Sequence, residues 1–252
     1  MSLSTSASLA WITGASSGIG AALCRRLAQQ GWRVVASARN QQALQQLAEE
    51  SPNIHPLPLD VTRTEDVHAA VQRIENEIGC IDLAVLNAGD YTPMALEDFD
   101  AALFERLMQV NYLGVVHGID ALRASMCARG RGQILVTASV AGYRGLPLAA
   151  PYGATKAALI NMAEALHPEF ARYGVRLRVI NPGFVKSPLT AKNSFAMPFI
   201  IEADEAAASI IRALDHTGFE ISFPRGFVFI MKRLRNLPYA LYFPLIRRIT
   251  GS

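Results

Sequence analysis

Short runs of Val, Ile, Leu and Ala recur along the chain, separated by stretches in which apolar positions return every three or four residues. The runs at 9–13, 33–38, 54–60, 82–87, 133–139, 175–181 and 219–223 read as strands. The stretches near 18–30, 41–50, 64–78, 97–126, 152–173 and 203–214 carry helical spacing. In the first of these, Ala22, Leu23, Arg26 and Leu27 set the period and Gly31 stands where the helix should end. The strand runs are apolar throughout, as expected for strands covered by helices on both faces. Strand and helix alternating through six repeats predict an α/β fold, a doubly wound parallel sheet of about seven strands. No polar linker divides residues 1–223, which are expected to form a single domain; 224–252 follow as a C-terminal segment.

With 252 residues, 51% hydrophobic and 18% charged, the chain can bury a real core and is not disordered. Cys24, Cys80 and Cys127 are far apart and odd in number, which argues against a disulfide framework and a zinc site, and no metal is expected. The start lacks the basic flank of a secretory signal, and no apolar run approaches the ~20 residues of a membrane-spanning helix. The expected setting is the reducing cytoplasm. Charge is uneven: residues 221–252 hold Arg225, Lys232, Arg233, Arg235, Arg247 and Arg248 and no acid. A basic segment without a reading element does not predict nucleic-acid binding.

In a doubly wound sheet, ligands bind beyond the carboxyl ends of the strands. The first strand ends in Gly14-Ala15-Ser16-Ser17-Gly18-Ile19-Gly20 and then a helix. Glycines there permit a tight turn and bring backbone N–H groups and a helix N-terminus to a pyrophosphate. The spacing G-x-x-x-G-x-G differs from the G-x-G-x-x-G fingerprint. Gly14 to Gly18 also fit G-x-S-x-G, a hydrolase elbow with Ser16 as nucleophile and Asp204 or Asp215 with His216 as partners, although only one strand precedes it. The second strand ends at Ala38-Arg39, with no carboxylate between Ser37 and Gln46. An acid there suits the free ribose of NAD, whereas an arginine suits a 2′-phosphate, so NADP(H) is favoured over NAD(H).

Tyr152 and Lys156 lie one turn apart on a predicted helix, after Pro151 in its first turn. A neighbouring ammonium should draw a phenol pKa down from its usual ~10 towards working range. Ser139, ending the preceding strand, can bond a substrate carbonyl.

Residues 13–20, Asp60-Val61, Asn87-Ala88-Gly89, Asn111, Ser139, Tyr152-x-x-x-Lys156 and 181–187, in this order, resemble the short-chain dehydrogenase/reductase family over about residues 8–223. The resemblance implies a Rossmann-type fold and hydride transfer between nicotinamide and a carbonyl/alcohol pair. By position, Tyr152 resembles the general acid/base and Ser139 the carbonyl-orienting hydroxyl. Lys156 resembles the ribose-binding residue that lowers the tyrosine pKa, and Asn111 the residue completing a proton relay through a water. Gly14, Ser16, Ser17, Gly18, Ile19 and Gly20 correspond to the phosphate turn, Asp60 and Val61 to adenine contacts, and Asn87, Ala88 and Gly89 to the ribose side. Pro182, Gly183, Val185 and Ser187 correspond to the carboxamide contacts, with Ser187 where the family often has Thr. Arg39 resembles the NADP-preferring branch. A sensor that binds the nucleotide without useful catalysis is the rival from another class.

In the family the helices corresponding to 97–126 and 152–173 form the subunit interface. Pro168 should kink or end the second, so a homodimer is expected. A lid at about 187–202, with Phe195, Met197, Phe199, Ile200 and Ile201, joins Met94, Leu146 and Leu148 in an apolar wall suited to a hydrophobic ketone, aldehyde or alcohol. In the C-terminal segment Phe227, Ile230, Met231 and Leu234 form a stripe, and Pro238 and Pro244 should interrupt any long helix. Packing of this segment on the domain or a partner is favoured over peripheral contact with a membrane through 225–252.

Overall fold

The computed structural model describes residues 8–250 apart from Ser194, without the side chains of residues 249 and 250. Among the described residues one sheet of seven parallel strands runs in the order β3-β2-β1-β4-β5-β6-β7. The strands are β1 (Leu9–Thr13), β2 (Arg33–Ala38), β3 (Ile54–Pro58), β4 (Leu83–Leu86), β5 (Gly132–Thr137), β6 (Val175–Pro182) and β7 (Glu220–Phe223). Alternate residues of each central strand feed opposite layers. Leu9 and Trp11 enter a core with α3 (Thr64–Glu77), α5 (Gly114–Arg129) and α6 (Ala150–Ala171). Ala10 and Ile12 enter a second core with α1 (Gly18–Gln29), α2 (Gln41–Glu49) and α7 (Ala203–Arg212). Both faces are therefore dry, which is why the strand sequences show no polar alternation. The two edge strands, β3 and β7, alternate in burial, and at the β3 edge Pro56 and Pro58 need no second partner.

Chain direction across the sheet reverses between β1 and β4, which pair in parallel register, Ala10 beside Leu83 and Ile12 beside Val85. The crevice at that switch point is where such sheets hold ligands.

Three helical expectations change. The stretch near 97–126 starts later, at α4 (Ala101–Met108), where the Asp100 carboxylate accepts from the Ala102 N–H at 2.9 Å. It then passes through a π-helical turn, Gln109–Leu113, before α5. Pro168 does not end α6, which runs on to Ala171, and Pro244 does not break α9 (Tyr239–Thr250). Each proline frees the carbonyl four residues earlier, Glu164 or Ala240, and these residues are exposed, so water can take the bond.

The C-terminal segment folds as α8 (Arg225–Arg235) and α9. Phe227, Val228 and Met231 are buried in the core beside α6, whereas Ile230 is exposed, so the inner stripe includes Val228 in its place. On the wheel Phe227, Met231 and Leu234 cluster within about 60°, with Val228 at one flank and Ile230 at the other, and the core takes the Val228 side. No helix among the described residues is long and apolar enough to cross a membrane.

Candidate active site

At the end of β1 the chain turns at Gly14, whose φ is +67°. A Cβ there would stand 2.8 Å from the Ala88 Cα. The Thr13 hydroxyl accepts from the N–H groups of Asn87 and Ala88 at 2.9 and 3.1 Å, and the Asn87 amide donates to the Thr13 carbonyl at 3.2 Å. The ends of β1 and β4 are thus bolted together. Gly14→Ala is expected to lower the unfolding free energy by ~2 kcal/mol, from the left-handed backbone and the contact with Ala88; urea denaturation measures it.

Ser17 precedes α1 in extended conformation without capping it by its side chain, and the first turn of α1 holds no acid. Gly18 approaches Ser187, a Cβ on it falling 3.1 Å from the Ser187 Cβ. Free N–H groups, two serines and no carboxylate suit an anionic diphosphate. Ile19 instead packs on the second core. Arg39 is exposed beyond β2. Burial pushes the Asp60 carboxyl up, but hydrogen bonds from the Thr62 N–H and hydroxyl, with Arg39 and Arg63 nearby, hold it below the usual carboxylate range. The Val61 carbonyl bonds the His117 ring at 2.9 Å. These residues gather at the carboxyl ends of β1, β2 and β3, with Arg39 close enough to Asp60 to help hold its carboxyl ionised.

Ser139 ends the strand run, its hydroxyl accepting from the Ala141 N–H at 3.1 Å. Lys156 is buried and donates to the Thr137 carbonyl at 2.8 Å; its Nζ lies 5.5 Å from the Tyr152 ring centroid. The expected fall of the Tyr152 pKa is reversed. Burial pushes it up to about 12, against a hydrogen bond with Ser139 that pulls it down. Burial likewise lowers Lys156 to about 7. Removing either charge from water costs more than their mutual attraction returns across this separation.

Asn111 sits in the π-turn, buried, with its amide committed to the chain after β4. Its Oδ1 accepts from the Asp90 N–H at 2.7 Å, and its Nδ2 donates to the Asp90 carbonyl at 2.9 Å and the Thr155 hydroxyl at 3.1 Å. A Cβ on Gly89 would lie 3.3 Å from that Oδ1 and 3.7 Å from the Lys156 Nζ. At the end of β6 the Pro182 carbonyl accepts from the Ser139 hydroxyl at 3.5 Å, and Gly183 leaves room for the Phe227 ring. Val185 is buried and bridges Ile201, while the Ser187 N–H donates to Thr190.

The apolar wall divides. Met94 is buried with Leu103, Leu107, Phe104 and Tyr152. Leu146 packs on the first core and Ile201 on the second. Leu148, Phe195 and Phe199 remain exposed. Sequence spacing missed Tyr91, whose ring meets Tyr152 edge-on at 5.1 Å, and Lys192, whose Nζ bonds Asp90 at 2.8 Å and the Tyr91 carbonyl at 2.6 Å. Lys192 therefore fastens the 187–202 segment to the loop after β4. Among the described residues no hydrogen bond links Ser16 to Asp204, Asp215 or His216, and Asp204 is paired with Arg26 at 2.5 Å, so the hydrolase triad does not assemble. A separate cavity of about 290 Å³ beside α8 is lined by Tyr143, Asn181, Glu220 and Lys232, and Glu220 accepts from the other three.

Residues 8–197 match the family profile described as short chain dehydrogenase. An uncharacterized oxidoreductase of Myxococcus xanthus is 34% identical over 244 residues, covering 95% of this chain and 96% of its own. The structure of a short chain dehydrogenase from Burkholderia cenocepacia in complex with NADP superposes with a TM-score of 0.83 at 28% identity, covering 95% of this chain and 97% of that one. A 3-ketoacyl-(acyl-carrier-protein) reductase from Brucella melitensis complexed with NADH gives 0.80 at 27% identity, covering 85% and 96%.

Proposed function

The chain belongs to the short chain dehydrogenase family and is an NAD(P)-dependent oxidoreductase; from that premise we propose that it uses NADP(H) to interconvert a hydrophobic ketone or aldehyde and its alcohol, with Tyr152 as general acid and base. The observation that carries this reading is the meeting of Ser139, Tyr152 and Lys156 beyond β5, on the same edge of the sheet as the Gly14 turn. When bound, the nicotinamide supplies or accepts the hydride.

The chain's own groups do the rest. The Ser139 hydroxyl orients the substrate carbonyl, and the Tyr152 hydroxyl gives its proton to the oxygen as negative charge grows there. A phenol held at about 12 is protonated throughout the neutral range, so it is ready to donate; this supports reduction as the working direction. Lys156, close to half-ionised at neutral pH, can pass a proton to the phenolate left behind. Asn111 acts through position, keeping the Asp90 backbone and Thr155 in register beside Lys156. Exposed Leu148, Phe195 and Phe199, with Met94 against Tyr152, support a hydrophobic substrate.

Support for NADP(H) is the exposed Arg39 at the end of β2, in a segment without a carboxylate between Ser37 and Gln46. Arg39→Ala is expected to weaken NADPH binding by about 10- to 100-fold, the loss of a charge-assisted pair, and to leave NADH within about twofold. Titration of cofactor fluorescence reads both constants, and equal losses would reject the assignment. The activity itself is tested by NADPH oxidation over a panel of aldehydes, ketones and steroids. Turnover of apolar members is expected; cofactor binding with no consumption would favour the sensor.

A further inference from the structure

The two helices after β7 present more apolar surface than the fold uses. Their inner sides are firmly held. Phe227, Val228 and Met231 of α8 and Tyr242 and Ile246 of α9 are buried. Arg144, in the loop between Ser139 and Tyr152, fastens the junction. Its guanidinium donates to the carbonyls of Leu234, at 3.2 Å, and Arg235, at 2.8 Å, and of Leu237, and lies over the rings of Tyr239 and Tyr242 at 4.7 and 4.0 Å. The Tyr242 hydroxyl donates to the Gly145 carbonyl. The pair is a fixed part of the protein and its outer side a shaped surface.

That outer side carries Phe229, Ile230, Tyr239, Leu241, Phe243 and Leu245, with Phe229, Tyr239 and Leu241 each at least 60% exposed. Cations are set among them. Arg225, Phe229 and Arg233 fall on successive turns of α8, the Arg233 guanidinium 4.9 Å above the Phe229 ring, and Arg247 and Arg248 are exposed on α9. Residues 221–252 hold six basic side chains and no acid. We propose that the outer side of α8 and α9 docks on an anionic phospholipid surface, aromatic and aliphatic side chains entering the headgroup boundary and arginines pairing with phosphates.

Charge selects this occupant. A second copy docking through the same face would set Arg225, Arg233, Arg247 and Arg248 against their own copies, and α8 and α9 bring no carboxylate to separate them. An acidic polypeptide would satisfy the cations but leave the aromatic rings in water. A phospholipid boundary takes both. The patch also adjoins the cleft: Gly226 lies against the Phe199 ring, which stacks on Phe227 at 6.2 Å, and Phe195 and Phe199 are exposed on the lid. Docking would bring the cleft mouth towards the bilayer, where hydrophobic carbonyl compounds dissolve. That last consequence rests on the hydride-transfer reading; the docking does not.

The test is co-sedimentation of the full chain with sucrose-loaded vesicles of phosphatidylcholine alone or mixed with phosphatidylglycerol, in low and high salt. The expected result is partition into the anionic vesicles at least about tenfold above the neutral ones, weakened by salt. Arg233→Gln with Arg247→Gln should lower it about 30-fold, and Phe229→Ser with Phe243→Ser should also abolish most of it. These side chains are exposed, and an unchanged melting curve verifies folding. Equal partition into both vesicle types, or binding that neither double variant weakens, would overturn the proposal. So would equally tight binding to polyglutamate, or a dimer without vesicle binding that the variants dissolve. No turnover enters the measurement, so failure of docking and failure of the proposed chemistry are separate results.

Discussion

Replacing Tyr152 by Phe is expected to cut kcat for carbonyl reduction by about 10³-fold, within the range that removal of a positioned acid produces, while the NADPH dissociation constant stays within about threefold. The ring keeps its place against Met94 and the Tyr91 edge, since only the hydroxyl is lost. Stopped assays with excess enzyme and a fluorescence titration of cofactor read the two quantities. Retention of more than about a tenth of the activity would remove Tyr152 from the role. The wild-type pH profiles carry the same information. Burial raises the phenol to about 12, so its protonated form persists and reduction should be insensitive to its ionisation from pH 6 to 9. Alcohol oxidation needs the phenolate, and its kcat should climb about tenfold per pH unit across the same interval. A plateau in oxidation near pH 7 would show a phenol already ionised.

Lys156→Met is expected to do two opposite things. Turnover should fall by about 10²-fold or more, because the group that returns a proton to the phenolate is gone. Stability at pH 7 should rise, by about 5 °C in Tm. Lys156 is buried and, among the described residues, bonds only the Thr137 carbonyl, and burial lowers its pKa from 10.5 to about 7. A base whose folded pKa lies below its unfolded value binds more protons when unfolded, which destabilises the fold. The penalty is complete below pH 7 and is relieved by at most ~1.4 kcal/mol per pH unit as pH climbs to 10.5. Methionine removes the penalty and forfeits one hydrogen bond worth ~1 kcal/mol. The gain over wild type should therefore be largest at pH 6–7 and shrink towards pH 10, as read by thermal unfolding across that range. A variant that is less stable at pH 7, or a difference independent of pH, would show that the amine is well solvated.

Local spacing made much of the site legible. The glycine turn lies at the end of the first apolar run, and Tyr152 and Lys156 are separated by one helical turn; both are relations within a dozen residues. Asp60, Asn87 and Ser139 each close a strand, so the rule for strand ends collected them. Other partnerships had no such signature. Lys192 meets Asp90 across 102 positions, and Arg144 reaches α8 and α9 across about 90. The π-turn that aims Asn111 at the Asp90 backbone looks like uninterrupted helix in sequence, because inserting one residue into a turn leaves the apolar period almost unchanged. Pro168 and Pro244 misled for a related reason: sequence states that a bond is lost, while exposure of Glu164 and Ala240 decides how little that matters.

The order of strands and helices, the glycine turn and the candidate set of Ser139, Tyr152 and Lys156 were written in the chain, since each depends on neighbours in sequence. Folding alone decided the protonation preferences of Tyr152 and Lys156. The spacing puts an ammonium beside a phenol and argues for a lowered pKa; the burial of Lys156 and partial burial of Tyr152 drive the pair the other way. The outward face of α8 and α9 has the same origin. A stripe of apolar residues can be read from helical spacing, but which of two apolar sides enters the core depends on the surfaces already present there, and here α6 and β6 accept Phe227, Val228 and Met231 and leave Phe229 and Ile230 outside.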